Sequence, residues 1–481
     1  PGIMSGTSLC GMMKQQGNMR YILSTGTWAM LFGTALLTIG CTKEEEETPS
    51  GPTGGTWSLN TVQNGNVVTV KDSTNQNFTF TNDRTWLLWG FVKVQNGATL
   101  TIEPGTIIKG DKATKATLVI ERGAKIIAEG TAAQPIVFTS NEPPGQRNYG
   151  DWGGLIICGK APNNAGANVL LEGGTGATFG GSLSDDNSGI LRYVRIEFPG
   201  IAYQVNNEIN GLTLGAVGSG TTMDHIQVSY SGDDSYEWFG GSVNASHLVA
   251  FRGWDDDFDT DNGYAGRVQF GVALRDPAIA DPSGSNGVES DNDASGSSSA
   301  PVTSPIFSNI SLYGPLTVDP NTGNMNTLFK RGAHLRRNTR LSLYNSVIAG
   351  WPTDLLLDGG PTGDNVDADL LQVRNTHLAA WGTIALDTVS GAGFDPIAWF
   401  GTTGWGNAIN SDLSSLGLPT PFSLAVPSFR PNGGSALLSG ADFSSTNLVN
   451  PFFTPVSYKG AFGGEDWTSG WCNWDPQNTV Y

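Results

Sequence analysis

The sequence predicts an all-β chain wound as a single-stranded parallel β-helix, a solenoid with long loops. Three observations predict it. Between Met223 and Asp276 the chain repeats in rows of 22 residues. His225-Ile226-Gln227-Val228-Ser229-Tyr230 falls over His247-Leu248-Val249-Ala250-Phe251-Arg252, and Gln269-Phe270-Gly271-Val272-Ala273-Leu274 follows. A short fixed period made of strands and glycine-rich corners is the signature of a solenoid. Within each row one parity is mostly apolar (Ile226, Val228, Tyr230; Leu248, Ala250; Phe270, Val272, Leu274), the alternation of a strand with one buried face. Finally, 65 Gly and 25 Pro with only 15% charged residues in 481 fit a protein of many turns.

The N-terminus reads as targeting. Residues 1–18 fit no element and are expected to be a non-native upstream segment. Met19-Arg20 opens a basic region, and 21–40 is apolar and small, ending Leu37-Thr38-Ile39-Gly40-Cys41. Residues 19–40 therefore read as a signal peptide. The run is also long enough to span a bilayer, but its small-residue end favours processing. This ending resembles the lipobox of bacterial lipoproteins, which implies lipidation of Cys41; Thr38 stands where that pattern usually has Leu. Residues 41–55 read as an acidic, flexible tether. Its Lys43-Glu44-Glu45-Glu46-Glu47 run resembles the export signal of Bacteroidetes-type surface lipoproteins. The expectation is an outer-membrane protein, held by a lipid and facing the extracellular side.

Residues 56–481 read as one β-helix domain with caps. Trp86-Leu87-Leu88-Trp89-Gly90-Phe91 is expected to cap the open end of the core. Residues 98–108 and 116–127 repeat at an offset of 18 as strand, Glu-x-Gly turn and strand, and are expected to be the first narrow coils. Their turn glycines need positive φ. Residues 277–305 are rich in Asp, Ser, Gly, Asn and Pro and read as an inserted loop, whose run Glu289-Ser290-Asp291-Asn292-Asp293 adds carboxylates expected to fold over the acidic turns. Asp395-Pro396 has the form of a helix start. The aromatic stretch 458–481 is expected to cap the far end. Cys158 reads as a small core residue, and the sequence leaves open whether it pairs with Cys472.

The rows carry a chemical consequence. Asp233 falls on Asp255, Asp234 on Asp256, and Glu237 on Asp259. Coils lie about 4.8 Å apart, so like charges stack. At that spacing two carboxylates repel by roughly 3 kcal/mol at an effective dielectric of ~20. The turns are then either wetted, or neutralised by a cation or by shared protons. Several carboxylates suit Ca²⁺, and the expected ligands are Asp233, Asp234, Glu237, Asp255, Asp257, Asp259 and Asp261. The last four alternate and would share one side of an extended segment. A helix–loop–helix calcium loop at 257–268 is excluded, because Gly263 comes one place late and Val268 stands where Glu should close it.

Trp238, Trp254 and Tyr264, beside these turns, are expected to stack on sugar; packing along the coil is the plain alternative. Tyr236 over Phe258 reads as such a core stack, and His225 over His247 as a surface ladder. A formal charge of −18 excludes nucleic acid as a partner. No Ser-His-Asp, nucleotide-loop or zinc pattern is present.

Asp151-Trp152-Gly153-Gly154, residues 188–197, Asn210-Gly211-Leu212-Thr213-Leu214, residues 229–234 and Leu335-Arg336-Arg337-Asn338 together resemble a family of bacterial surface lipoproteins. The resemblance covers most of 90–481. It implies a right-handed parallel β-helix of the pectin-lyase-like class and carries no assigned activity. The expected function is binding of glycan or another surface ligand. The alternative is a calcium-dependent polysaccharide lyase or glycoside hydrolase using Asp233, Asp234, Asp255, Asp256 and Arg252, with Arg267 and Arg275 nearby in sequence. Gly232-Asp233-Asp234 resembles the acidic pair of galacturonan hydrolases, but the Gly-His-Gly and Arg-x-Lys motifs of that family are missing.

Overall fold

The computed structural model describes residues 55–204, 207–315, 325–379, 386–388, 394–410 and 413–481. The leader, Cys41 and nearly all of the tether lie outside the described residues. Thr56–Tyr481 forms one compact unit.

Each regular coil carries one long and one short strand. The long strands Thr222–Ser229, Asn244–Phe251, Arg267–Leu274 and Ile306–Tyr313 pair in parallel, each with the next. Each bends once, at His225, His247, Phe270 or Asn309, whose φ values of 54 to 62° lie in the left-handed region. The bend splits the stack into a first and a second sheet. The short strands Tyr236–Phe239, Phe258–Asp261, Val288–Ser290 and Arg331–Leu335 build a third. Parallel sheets of this kind are a parallel β-helix, as the alternation predicts.

The register of 22 holds between the first two rows. Tyr236 pairs with Phe258, Glu237 with Asp259, and Ile226 with Leu248. The third row slips by one residue, so Leu248 pairs with Gly271 and His247 stacks on Phe270. Gly271 and Ala273 therefore take the inward positions expected for Phe270, Val272 and Leu274, which face outward. The inside is filled by stacked rings. Tyr236 lies 5.4 Å from Phe258 at 20°, and Trp238 lies 5.4 Å from Tyr264 at 19°. Such pairs add about 0.5–1.5 kcal/mol beyond their burial. The Tyr236 hydroxyl has the carbonyls of Ile226 and Val249 as acceptors for its one proton, at 2.7 and 3.0 Å, so its polar end is satisfied in the core.

Five expectations are corrected. The 18-residue likeness of 98–108 and 116–127 joins strands of different sheets: Thr99–Ile102 pairs with Lys125–Glu129, not with Thr117–Ile120. Both rows obey the same strand–turn–strand grammar, and Gly105 and Gly123 do have φ of 80 and 90°. Trp86 belongs to an ordinary rung, Thr85–Val94, and stacks on Phe80 at 4.5 Å; the first rung is flanked instead by the antiparallel strand Asn60–Asn64. The stretch 277–305 is a lengthened coil, because Val288–Ser290 inside it pairs with both neighbouring coils.

The aromatic C-terminus does not cap the far end. It runs back along the outer face of the second sheet. Contacts pass from Asn345–Asp442 through Asn309–Tyr458 and Gln227–Asn473 to Arg147–Pro476. Trp471 and Phe462 are buried there against Phe251, Leu274 and Tyr313. His225 and His247 do form a ladder, 4.2 Å apart and both on Asp224, but Trp467 packs against both rings and Trp471 against His225, so it is no surface feature. Helix Pro396–Phe400 is capped by Asp395 as expected. Cys158 is buried, and both it and Cys472 are free thiols.

Candidate functional site

The site lies at the corner between the second and third sheets and on the outer face of the third. Stacked coils place Asp234, Asp256 and Asn286 in one column. The Asp256 N–H donates to Asp234 Oδ1 at 2.8 Å, and the Asn286 N–H to Asp256 Oδ1 at 2.5 Å. Each carboxylate thus ties its own coil to the next. Beside this column Ser283 donates to Asp255 Oδ2 at 2.9 Å. On the third sheet, Glu237, Asp259 and Glu289 occupy one outward column, because they pair in register. The Asn210 amide donates to Glu237.

These columns meet. Carboxylate oxygens of Asp233, Asp234 and Asp255 lie within 4.8 Å of one another, and so do those of Asp234, Glu237 and Asp259. Asp234 belongs to both triads. Asp234 is 8% and Glu237 7% exposed, while Asp233, Asp255 and Asp259 are half-buried. Among the described residues, none of these five, nor Glu172, Asp256 or Asp261, has a basic partner within ion-pair distance. Asp259 Oδ1 is buried with no hydrogen-bond partner among the described residues.

Burial is the first cause that pushes these carboxyls up, and neighbouring carboxylates add to it. Asp255 is pushed up to about 7 by burial and then by Asp281. Glu172 reaches about 7 by burial and then by Glu208. Asp234, Asp233 and Glu237 are raised well above the ordinary range, by burial and then by Asp256, Asp255 and Glu172 respectively. The arrangement accepts either protons or a cation.

Several expected members fall elsewhere. Asp257 is fully buried on the other side of the turn, where Arg275 Nη1 donates to it at 2.8 Å. Its carboxyl rises to about 6, burial being opposed by that guanidinium. The alternation 255-257-259-261 fails because the chain becomes a strand only at Phe258. Asp261 does share the outward face with Asp259, outside both triads. Arg275 also donates to the carbonyls of Asp255 and Trp254, and Arg252 is held by Asp276 over the Tyr230 ring, so neither guanidinium is free. Trp238 and Tyr264 are fully buried and present no ring to a ligand. Trp254 remains partly exposed, edge-on to Tyr149 at 5.5 Å.

The sequence did not point to Glu172, Asn210 or Asp281, which arrive on loops, or to Glu208, on the short strand Asn207–Ile209, all outside the row pattern. Glu289, in the acidic run 289–293 expected over these turns, does join their outward column, on a coil that lengthens from 22 to 30 residues. It is neutralised by Arg336 and lies 3.3 Å from His334, so the acidic column ends there.

A family model of a pectate-lyase-like beta helix domain matches residues 72–396. The chain belongs to this family. No curated protein matches it. As a member, it is a right-handed parallel β-helix, and the match takes in the whole acidic cluster. Within this pectate-lyase-like helix, the matched span stops at Pro396, the first residue of the short helix. The C-terminal segment that covers the second sheet therefore lies beyond the shared domain.

Proposed function

We propose that this chain is a lipid-anchored, cell-surface protein that binds glycan, with Ca²⁺ held by Asp233, Asp234, Glu237, Asp255 and Asp259. One observation carries the reading: two carboxylate triads share Asp234, are withdrawn from water, and lack any basic partner among the described residues. Hard oxygen donors in that number suit Ca²⁺, which takes six to eight of them. Membership in a pectate-lyase-like family supports carbohydrate as the ligand class, and Trp254 offers an aromatic edge beside the triads. The lipid anchor rests on the residues before Cys41 and on the acidic run after it.

Binding is favoured over a lyase reaction. A lyase needs a free base beside its metal, and Arg252 and Arg275 are both engaged by carboxylates. The test is thermal unfolding in EDTA and in excess calcium. A ligand bound only by the folded state, at about a hundred times its Kd, stabilises by about 2.7 kcal/mol. That gain is expected to vanish in the Asp234→Asn, Glu237→Gln double variant; an unchanged melting temperature in calcium would end the metal reading. Incubation with uronate and neutral glycans checks the rest. Product whose release is lost on changing Asp255 and Asp256 to Ala would replace the binding protein with an enzyme.

A further inference from the structure

A second place in the coil has the opposite chemistry. Where the chain leaves the third sheet in the early coils, Arg122, Lys160, Gly180, Gly181 and Ser182 line a pocket of about 360 Å³. Arg122 belongs to the turn Glu121-Arg122-Gly123. Its Nη1 donates to the carbonyls of Ala167 and Gly180 at 2.8 and 3.0 Å, and its Nη2 to Asn168 Oδ1 at 2.8 Å. The guanidinium is therefore fixed in place by neutral acceptors and keeps its charge uncompensated. Lys160 Nζ reaches to 2.6 Å from where a Cβ on Gly123 would sit, beside Arg122. Among the described residues it has no ion pair and no hydrogen bond, and no carboxylate lines the pocket.

In a chain of formal charge −18, two cations converging without an acid are an exception that needs a partner. The loop supplies more of the same sign. The backbone N–H groups of Gly181 and Ser182 donate to no described group, whereas those of Gly180 and Leu183 on either side are satisfied. Adjacent N–H groups with no described acceptor, beside a fixed guanidinium and an unpaired ammonium, make a concavity for an oxyanion. Its volume falls in the range of small-molecule sites, about 300–1,000 Å³.

We propose that this pocket binds an oxyanion, a carboxylate, sulfate or phosphate group, carried by a ligand of about one sugar ring. The site needs no calcium and stands at a different corner from the acidic triads, so it does not rest on the reading above. The experiment is calorimetry on the full chain in EDTA, with three probes: a uronate monosaccharide, inorganic sulfate and inorganic phosphate. At least one is expected to bind saturably, and the tightest names the source of the anion. Lys160→Gln removes a side chain that supports nothing in the fold. It is expected to weaken that binding about tenfold, the loss of one charge-assisted hydrogen bond. Asp234→Asn is expected to leave it unchanged. Equal affinity in Lys160→Gln and the parent, or no saturable binding by any probe, would overturn the proposal whatever calcium does.

Discussion

At two corners of its coils the helix stacks like on like, and the two stacks end in opposite electrostatic states. At the bend between the first and second sheets the column runs Tyr193, His225, His247, Phe270, Asn309, Asn345 and Asn375, all with φ between 49 and 62°. Its rings lie 4.4, 4.2 and 5.0 Å apart. Its amides donate to carbonyls of the C-terminal segment, Asn309 to Tyr458 and Asn345 to Asp442. At the corner before the third sheet, Asp233, Asp234 and Glu237 stack on Asp255, Asp256 and Asp259. A solenoid copies whatever its repeat contains. Copied rings and amides gain from each new neighbour, whereas copied carboxylates repel. The first stack is completed by the chain itself; the second has no basic partner among the described residues and is where the proposed cation would sit.

The largest effect is expected from undoing that completion. Trp471 fills the space between the C-terminal segment and the second sheet, with Tyr193 and His225 against its ring. Trp471→Ala is expected to cost about 3–5 kcal/mol in chemical denaturation, the usual range for a buried Trp. A loss below 1 kcal/mol would mean that the segment contributes little to stability and that the bend column stands alone.

The acidic corner responds to pH with a definite sign. Its carboxyls take up protons more readily folded than unfolded, so the folded state binds more protons above the ordinary carboxyl range. In EDTA the corner's contribution is therefore fully present below about pH 4 and is lost as pH rises through about 7, where Asp255, Asp261 and Glu172 titrate. Melting curves across that window are expected to fall with pH, and excess calcium to flatten the fall. Asp255→Asn sharpens the point. At pH 8 in EDTA it is expected to stabilise by about 1–3 kcal/mol, the repulsion it removes; in calcium it is expected to destabilise. The same sign in both buffers would separate the corner from any cation.

What was legible in the sequence follows from how far each feature obeyed the period. The fold was readable because Ile226, Leu248, Tyr236 and Phe258 recur at fixed spacing and alternate in burial. The pairs 233/255, 234/256 and 237/259 were readable for the same reason. Once a coil changed length the period carried no information: the slip at Gly271 and the rung Val288–Ser290 were invisible. Trp238 and Tyr264 were misplaced because an aromatic beside an acidic turn looks the same whether it points in or out. Asp257 was misplaced because parity was extended through a turn, and its buried partner Arg275 sits 18 residues on, outside the row. Glu172 and Lys160 come from excursions with no repeat, where spacing along the chain does not set the neighbours.

The smallest effect tests the bend column itself. The column changes from rings to amides between Phe270 and Asn309, and both kinds of residue hold positive φ there. Asn tolerates that backbone better than most residues, so His247→Asn keeps the bend. It removes the ring stacked on His225 and Phe270 and the contact with Asp224 at 2.8 Å. The expected cost is about 0.5–1.5 kcal/mol, the worth of an aromatic pair, read as a small drop in melting temperature with no change in calcium response. A cost as large as that of Trp471→Ala would show that the shared Asp224 contact, rather than stacking, holds this corner. The two corners would then differ in which charges are matched, not in whether charge is present.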